Sequence, residues 1–301
     1  MREGEGEGEG EGEGERLEFT GQGATFIATH ATTGGELCAA MVTGEKGATS
    51  ALHRYSAAHE CLVVMAGVLD LQMGDQLTWL TPGDFASIPA GTVHGYTMRG
   101  HRTSLLMWSV GGETVAQQGD TEFVQSPAGT QATAVGSQVP VGIVPYTLEA
   151  GEGERMLTGD QLFVFLANNT STGGSFISLT TQGPRGERIP KHFHEKHTEN
   201  FFCLEGRMTM WVGDEEIELH TGDFVHAPPG TIHAYRLDGP HNNFPGVLTP
   251  GIFEPFFRTL CDPYEGYFYP ATPPPVRFDR VIVKLSELDL KLVERPGPRP
   301  A

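Results

Sequence analysis

The chain of 301 residues repeats itself. Gly12-Glu-Gly-Glu-Arg16 returns as Gly151-Glu-Gly-Glu-Arg155, a shift of 139, and Thr33-Gly-Gly35 returns as Thr172-Gly-Gly174 at the same shift. His53, Glu60 and Gly67 match His192, Glu199 and Gly206, and Gly83-Asp-Phe85 matches Gly222-Asp-Phe224. Pro89, Gly91, Thr92, His94 and Tyr96 match Pro228, Gly230, Thr231, His233 and Tyr235. One register held without a gap over more than eighty residues means a duplicated domain, so a fold that serves one half must serve the other. Between residues 3 and 15 Gly and Glu alternate; like charges with glycine between them offer nothing to bury, and residues 1–16 read as a disordered tail. The domains then span 17–145 and 146–301.

Within each copy, short runs of period-two alternation close on Gly, Pro or Asp every eight to twelve residues. Phe201–Leu204 ends at Glu205-Gly206, Met208–Val212 at Gly213-Asp214, and Glu216–Leu219 at Thr221-Gly-Asp223. That spacing predicts an all-β chain of antiparallel strands, folded as a sandwich or barrel in each half. The 40 Gly and 21 Pro, against 19% charged residues, favour turns over long surface helices. One helix is expected near the end, where Phe278, Val281, Ile282 and Leu285 follow helical spacing, packed outside a barrel.

The formal charge is −18, of which the tail supplies −5. An acidic surface repels phosphate backbones, which excludes nucleic acid as the expected partner. The most apolar stretch, Cys61 to Leu69, is far short of the ~20 residues that cross a bilayer, so no membrane partner is expected. The N-terminus has no apolar h-region, and a cytoplasmic location is expected. Cys38, Cys61, Cys203 and Cys261 are widely spaced, which suits reduced, buried thiols better than a disulfide framework.

The second copy carries a metal constellation: His192-x-His194-x4-Glu199-x6-Gly206, then Gly222-x5-Pro228-x-Gly230-x2-His233. Residues two apart on a strand face the same side, so the imidazoles of His192 and His194 point together. Glu199 re-enters after a short bend, and the Pro228-Pro-Gly230 turn delivers His233 from a further strand. Three imidazoles and a carboxylate suit a first-row transition metal, and in an octahedral ion two positions stay open for substrate and O₂ or water. In the first copy the matching residues are His53, Tyr55, Glu60 and His94, with Tyr55 where His194 stands in the second. A phenol with an ordinary pKa near 10 is a poor ligand for a divalent ion, although tyrosinate binds ferric iron. The first copy is therefore expected to hold either a decayed site kept for packing or an altered, weaker metal site. His197 and His59 fall in the bend between ligands, where exposure is expected. Cys203 is expected to face inward as a packing residue, and His220 and His226 border strands.

These two motifs are those of the cupin family, and the second copy resembles it at every histidine and glutamate. The resemblance implies two tandem cupin barrels of double-stranded β-helix, or jelly-roll, form with few short helices. It is narrower still. Val144-Pro-Tyr-Thr-Leu-Glu-Ala-Gly-Glu-Gly-Glu-Arg155 with Leu157-Thr-Gly-Asp-Gln-Leu162 resembles the inter-domain segment of the bacterial bicupin quercetin 2,3-dioxygenases. So do His197-Thr-Glu-Asn-Phe-Phe-Cys-Leu-Glu-Gly206 and Pro250-Gly-Ile-Phe-Glu-Pro-Phe-Phe-Arg-Thr-Leu260. What that family implies is cleavage of a flavonol heterocycle by O₂, with release of carbon monoxide and a depside. His192, His194, Glu199 and His233 would hold the metal, and Glu199, as catalytic base, would take the 3-hydroxyl proton. Bacterial relatives carry both half-sites, so Tyr55 departs from the pattern.

Manganese or iron is favoured by the resemblance; cobalt, nickel and copper suit the same ligands. Phe201, Met208, Met210, Trp211, Phe253, Phe256 and Phe257 are candidates to line a pocket for a flat aromatic substrate. The alternatives are another metal-dependent bicupin enzyme such as an oxalate decarboxylase, with Arg188 or Lys191 holding a second carboxylate, and a non-catalytic metal-binding bicupin. Exposed sheet edges make a homodimer plausible.

Overall fold

The computed structural model describes residues 16–19, 21–112, 121–125 and 134–294, so the Gly–Glu run of residues 3–15 lies outside the described residues. Each copy forms two facing sheets that are antiparallel, as the alternation and turn spacing require, apart from one parallel pair between Ala134–Val135 and Tyr146–Leu148. In the second copy the larger sheet runs Phe224–Ala227, Thr198–Phe202, Asn242–Thr249, Ile177–Gly183, Leu162–Ala167, Glu154–Leu157 and Asp262–Pro263. The facing sheet runs Glu215–Leu219, Met208–Val212, His233–Leu237, His192–Phe193 and Lys291–Leu292. The first copy repeats this order, from Arg16–Phe19 through Phe85–Ile88 in one sheet and with Thr49–Tyr55 beside His94–Met98 in the other. Non-glycine residues rarely adopt the left-handed turn conformation that Gly67 and Gly206 share, at φ 83° and 89°. A Cβ on Gly206 would also clash with the His241 carbonyl.

The two barrels are interlocked. Tyr146–Leu148, the first strand after the expected boundary at 145, pairs with Phe85–Ile88 and extends the sheet of the first barrel. Its Tyr146 hydroxyl donates to the Leu166 carbonyl of the second barrel at 2.6 Å. A shared core joins Cys61, Val63, Phe85, Trp108 and Tyr146 to Leu166, Phe176, Phe202 and Val247, with Trp108 stacked on Phe202 at 6.3 Å. The four cysteines are buried, each in a different core cluster, with no disulfide between them.

The expected C-terminal helix is present at Phe278–Lys284. It packs beside the helix Glu254–Leu260, buries Val281 and leaves Ile282 and Val283 exposed.

His59 corrects one expectation. It is buried, not exposed: its Nε2 lies 2.7 Å from Ser87 Oγ, and its ring meets the edge of Phe176 from the other barrel at 4.9 Å. Burial pushes its pKa down from 6.5 to about 4. The folded state therefore favours the neutral ring; its stability is fully present above pH 6.5 and erodes as pH falls toward 4, by up to about 3 kcal/mol. Urea unfolding at pH 7.5 and 4.5 is expected to show a smaller acid loss for His59→Gln than for wild type. Equal losses would mean that this ring is not protonated on unfolding.

Candidate metal centre

The strand His192–Phe193 meets His233–Leu237 with His192 opposite His233, which brings two imidazoles side by side at 4.4 Å between centroids. His194 follows two residues on, 5.0 Å from His192 and 5.3 Å from His233. Glu199 enters from the facing sheet, paired with Leu248 and Ala227. Its Oε1 is 3.5 Å from His194 Nε2 and its Oε2 is 3.1 Å from His233 Nε2. All four residues are buried, and one ligand atom from each lies within 4.8 Å of the others. The four side chains singled out in the second repeat thus come together.

Backbone carbonyls set the orientation of each ring. His192 Nδ1 donates to Pro190 O at 2.8 Å, His194 Nδ1 to Asp289 O at 2.6 Å, and His233 Nδ1 to Thr231 O at 2.9 Å. With Nδ1 engaged, each Nε2 is turned inward, the arrangement found behind metal-bound histidines. His194 Nε2 is buried without a hydrogen-bond partner. Burial and the neighbouring rings push His192 down to about 3, and burial pushes His194 down to about 4, so both are neutral near pH 7. Burial alone would raise Glu199, but the His194, His197 and His233 rings around it hold its carboxyl well below the usual range. Burial works to lower His233, but the hydrogen bond and charge of Glu199 and the Thr231 carbonyl together outweigh it and raise it. Electron-rich atoms turned on one another in a dry space fit a bound cation.

His197 and Asp289 are the residues that the motifs do not reveal. His197 was expected in solvent and is instead 0% exposed, stacked on Phe253 at 4.5 Å. Its Nδ1 lies 2.7 Å from Asp289 Oδ2, and its Nε2 is 3.7 Å from Glu199 Oε1. Asp289 also accepts from the Glu195 and Lys196 amides at 2.9 Å, which fixes the bend between the ligands. At the same shift the first copy has Ala58, a difference visible in the sequence; nothing local marks Asp289.

A cavity opens from the ligands. His192 and Glu199 stand among Phe163, Phe201, Phe253, Phe256 and Phe257, and Val276 and Phe278 from the C-terminal segment also line it, around about 810 Å³ of empty space counting the open mouth. Met208 and Met210 do not line it; they pack in the adjoining core, and Trp211 Nε1 donates to Glu216 at 2.9 Å near the surface. Where Gly246 lines this cavity, the first copy has Met107 in its core.

The first barrel keeps the layout with a tyrosine in place of one histidine. His53 lies 4.3 Å from His94 and 4.9 Å from Tyr55, nearly the spacings of the second site. His94 Nε2 is 3.4 Å from Glu60 Oε1, but among the described residues no metal-ligating group of three forms there. Burial and the Glu60 charge raise the Tyr55 pKa further, so its phenol stays protonated. Because the ring positions are preserved, Tyr55→His is expected to raise bound metal toward two ions per chain, read by elemental analysis. An unchanged ratio would mean that this barrel has closed in other ways.

The Cupin domain profile matches residues 40–110 and 179–242, once in each barrel. A quercetin 2,3-dioxygenase of Bacillus subtilis (strain 168) is 41% identical, with 93% of this chain and 93% of its own aligned. A quercetin 2,3-dioxygenase of Aspergillus japonicus is 31% identical over 40% of this chain and 37% of its own. Among solved structures, oxalate decarboxylase from Bacillus subtilis at pH 4.6 superposes with a TM-score of 0.58 at 15% identity, covering 79% of this chain and 74% of that one. At that identity the likeness is one of fold.

Proposed function

The chain belongs to the family of the bicupin quercetin 2,3-dioxygenases, and from that premise we propose that its second barrel cleaves the heterocyclic ring of a flavonol such as quercetin with O₂, releasing carbon monoxide and a depside. The observation that carries this reading is the buried set of three histidines and a glutamate at one end of a phenylalanine-lined cavity. Held by His192, His194, Glu199 and His233, a transition metal would supply a Lewis-acidic, redox-capable centre with positions left for non-protein ligands. Manganese or iron is our proposal for the ion.

The chain's own residues supply the rest. Glu199, held ionised, takes the proton of the flavonol 3-hydroxyl, which makes the ring system electron-rich toward O₂. Phe201, Phe253, Phe256 and Phe257 hold the flat rings and exclude water. Both atoms of O₂ end in the depside and carbon 3 leaves with its own oxygen as carbon monoxide, so no external reductant is needed. The proton on Glu199 returns to the carboxylic acid formed.

The small-acid alternative lacks its anchor: no Arg or Lys is among the residues lining the cavity, and Arg188 is paired with Glu294 at 2.7 Å. The edge strand Gln76–Leu80, with Leu77 and Trp79 exposed, supports a homodimer, and the buried thiols suit a cytoplasmic setting. The test is carbon monoxide release from quercetin under air by metal-loaded protein. Release in step with depside is the expected result; metal-loaded protein that yields neither would sink the reading.

A further inference from the structure

We propose that Thr158, Gln161 and Tyr235 form a polar subsite at the end of the cavity away from Glu199, and that it selects flavonols bearing a phenolic hydroxyl on a ring remote from the 3-hydroxyl. The inference rests on the flavonol reading of the same cavity.

Thr158 and Gln161 bracket the turn between Glu154–Leu157 and Leu162–Ala167, closed by a hydrogen bond from the Thr158 amide to the Gln161 carbonyl at 2.9 Å. Both side chains line the cavity, at 2% and 5% exposure. The Thr158 hydroxyl is buried with no hydrogen-bond partner. The Tyr235 hydroxyl donates to Gln161 Oε1 at 2.7 Å, which holds the Gln161 amide at the cavity wall. A buried polar group left unpaired at a cavity wall is costly unless a ligand completes it, and Asp160 and Thr181 add to the polar lining.

The first barrel supplies an internal comparison. There the same pair exists, with the Tyr96 hydroxyl donating to Gln22 Oε1 at 2.9 Å, but Gln22 Nε2 donates onward to the Thr49 carbonyl at 2.9 Å. Thr49 belongs to the strand Thr49–Tyr55, which closes that barrel. Its counterpart in the second barrel, Arg188, lies outside any strand, because only His192–Phe193 of that stretch is paired as strand. Ile189 still donates to the Tyr235 carbonyl at 3.0 Å, but among the described residues the onward bond that Gln22 makes has no counterpart at Gln161, which lines the cavity instead.

Strand register places this subsite opposite the metal ligands. Glu199 is level with Leu248 and Ile177, whereas Leu162, next to Gln161, is level with Gln182 and Asn243. Five residues along the strand Asn242–Thr249 are about 17 Å. A three-ring flavonol is of the length needed to bridge much of that span. A flavonol with its 3-hydroxyl at Glu199 would then present a remote hydroxyl to the Thr158 hydroxyl and the Gln161 amide.

The test compares 3-hydroxyflavone, 3,7-dihydroxyflavone and 3,4′-dihydroxyflavone on metal-loaded wild type, Thr158→Val and Gln161→Leu, by calorimetric binding and by kcat/KM. Wild type is expected to prefer one dihydroxy compound over 3-hydroxyflavone by tenfold or more, and which one wins identifies the ring that enters. Each substitution is expected to cut binding and kcat/KM for that compound about five- to tenfold, the worth of one hydrogen bond, with 3-hydroxyflavone unaffected. Wild-type binding without preference, or substitutions that weaken all three ligands equally, would overturn the subsite. Selective binding without carbon monoxide release would keep the subsite and discard the cleavage reaction.

Discussion

His194→Ala is expected to abolish metal binding in the second barrel and to reduce carbon monoxide release from quercetin to the background of protein-free autoxidation. The ring supplies one of only four converging ligand atoms, 3.5 Å from Glu199 Oε1, and its Nδ1 is anchored on the Asp289 carbonyl. Loss of an outer partner of a metal ligand typically costs 10- to about 100-fold in affinity, and loss of a ligand itself costs more. The same change opens a gap beside Phe253, whose ring meets His194 at 4.6 Å. Thermal unfolding of the variant is therefore needed to show that the barrel stands. A folded His194→Ala protein with full turnover would move the active site to the first barrel. There the work would fall to His53, Tyr55, Glu60 and His94.

The parts of this site legible in the sequence are those fixed by local geometry. His192 and His194 share a strand face, Gly206 and Gly230 sit in turns, and the 139-residue register carries each from one copy to the other. Contacts between distant segments leave no such mark. His197 lies in a bend, which argues for exposure, yet Phe253 from 56 positions downstream covers it. Asp289 reaches the site from the C-terminal segment, outside the repeated motifs. Nearness to the ligands along the chain made Met208 and Met210 pocket candidates, but it could not separate the packed core from the cavity next to it. Tyr146–Leu148 follows the expected domain boundary, while its pairing with the first barrel depends on how the two barrels dock. Duplication made the ligands readable; divergence between the copies, at Ala58 against His197 and Met107 against Gly246, is where function separates from fold.

Glu199→Gln separates the two roles proposed for that residue. The amide is close in size and keeps one oxygen for a metal, but it cannot take a proton from substrate. Affinity for the ion is expected to fall, and excess metal should restore occupancy. At full occupancy kcat is expected to stay about 10²- to 10⁴-fold below wild type, the usual worth of a positioned general base. The pH profiles should differ in sign as well. The surrounding rings hold the Glu199 carboxyl well below the usual range, so the wild-type base stays competent down to mildly acidic pH and fails only as pH falls through that lowered value. The variant has no such base, and its residual rate should climb with pH as the flavonol hydroxyl ionises unaided. A metal-saturated Glu199→Gln protein with near wild-type kcat and an unchanged profile would remove Glu199 from proton transfer. Its 3.1 Å approach to His233 would then be a matter of ligand geometry alone.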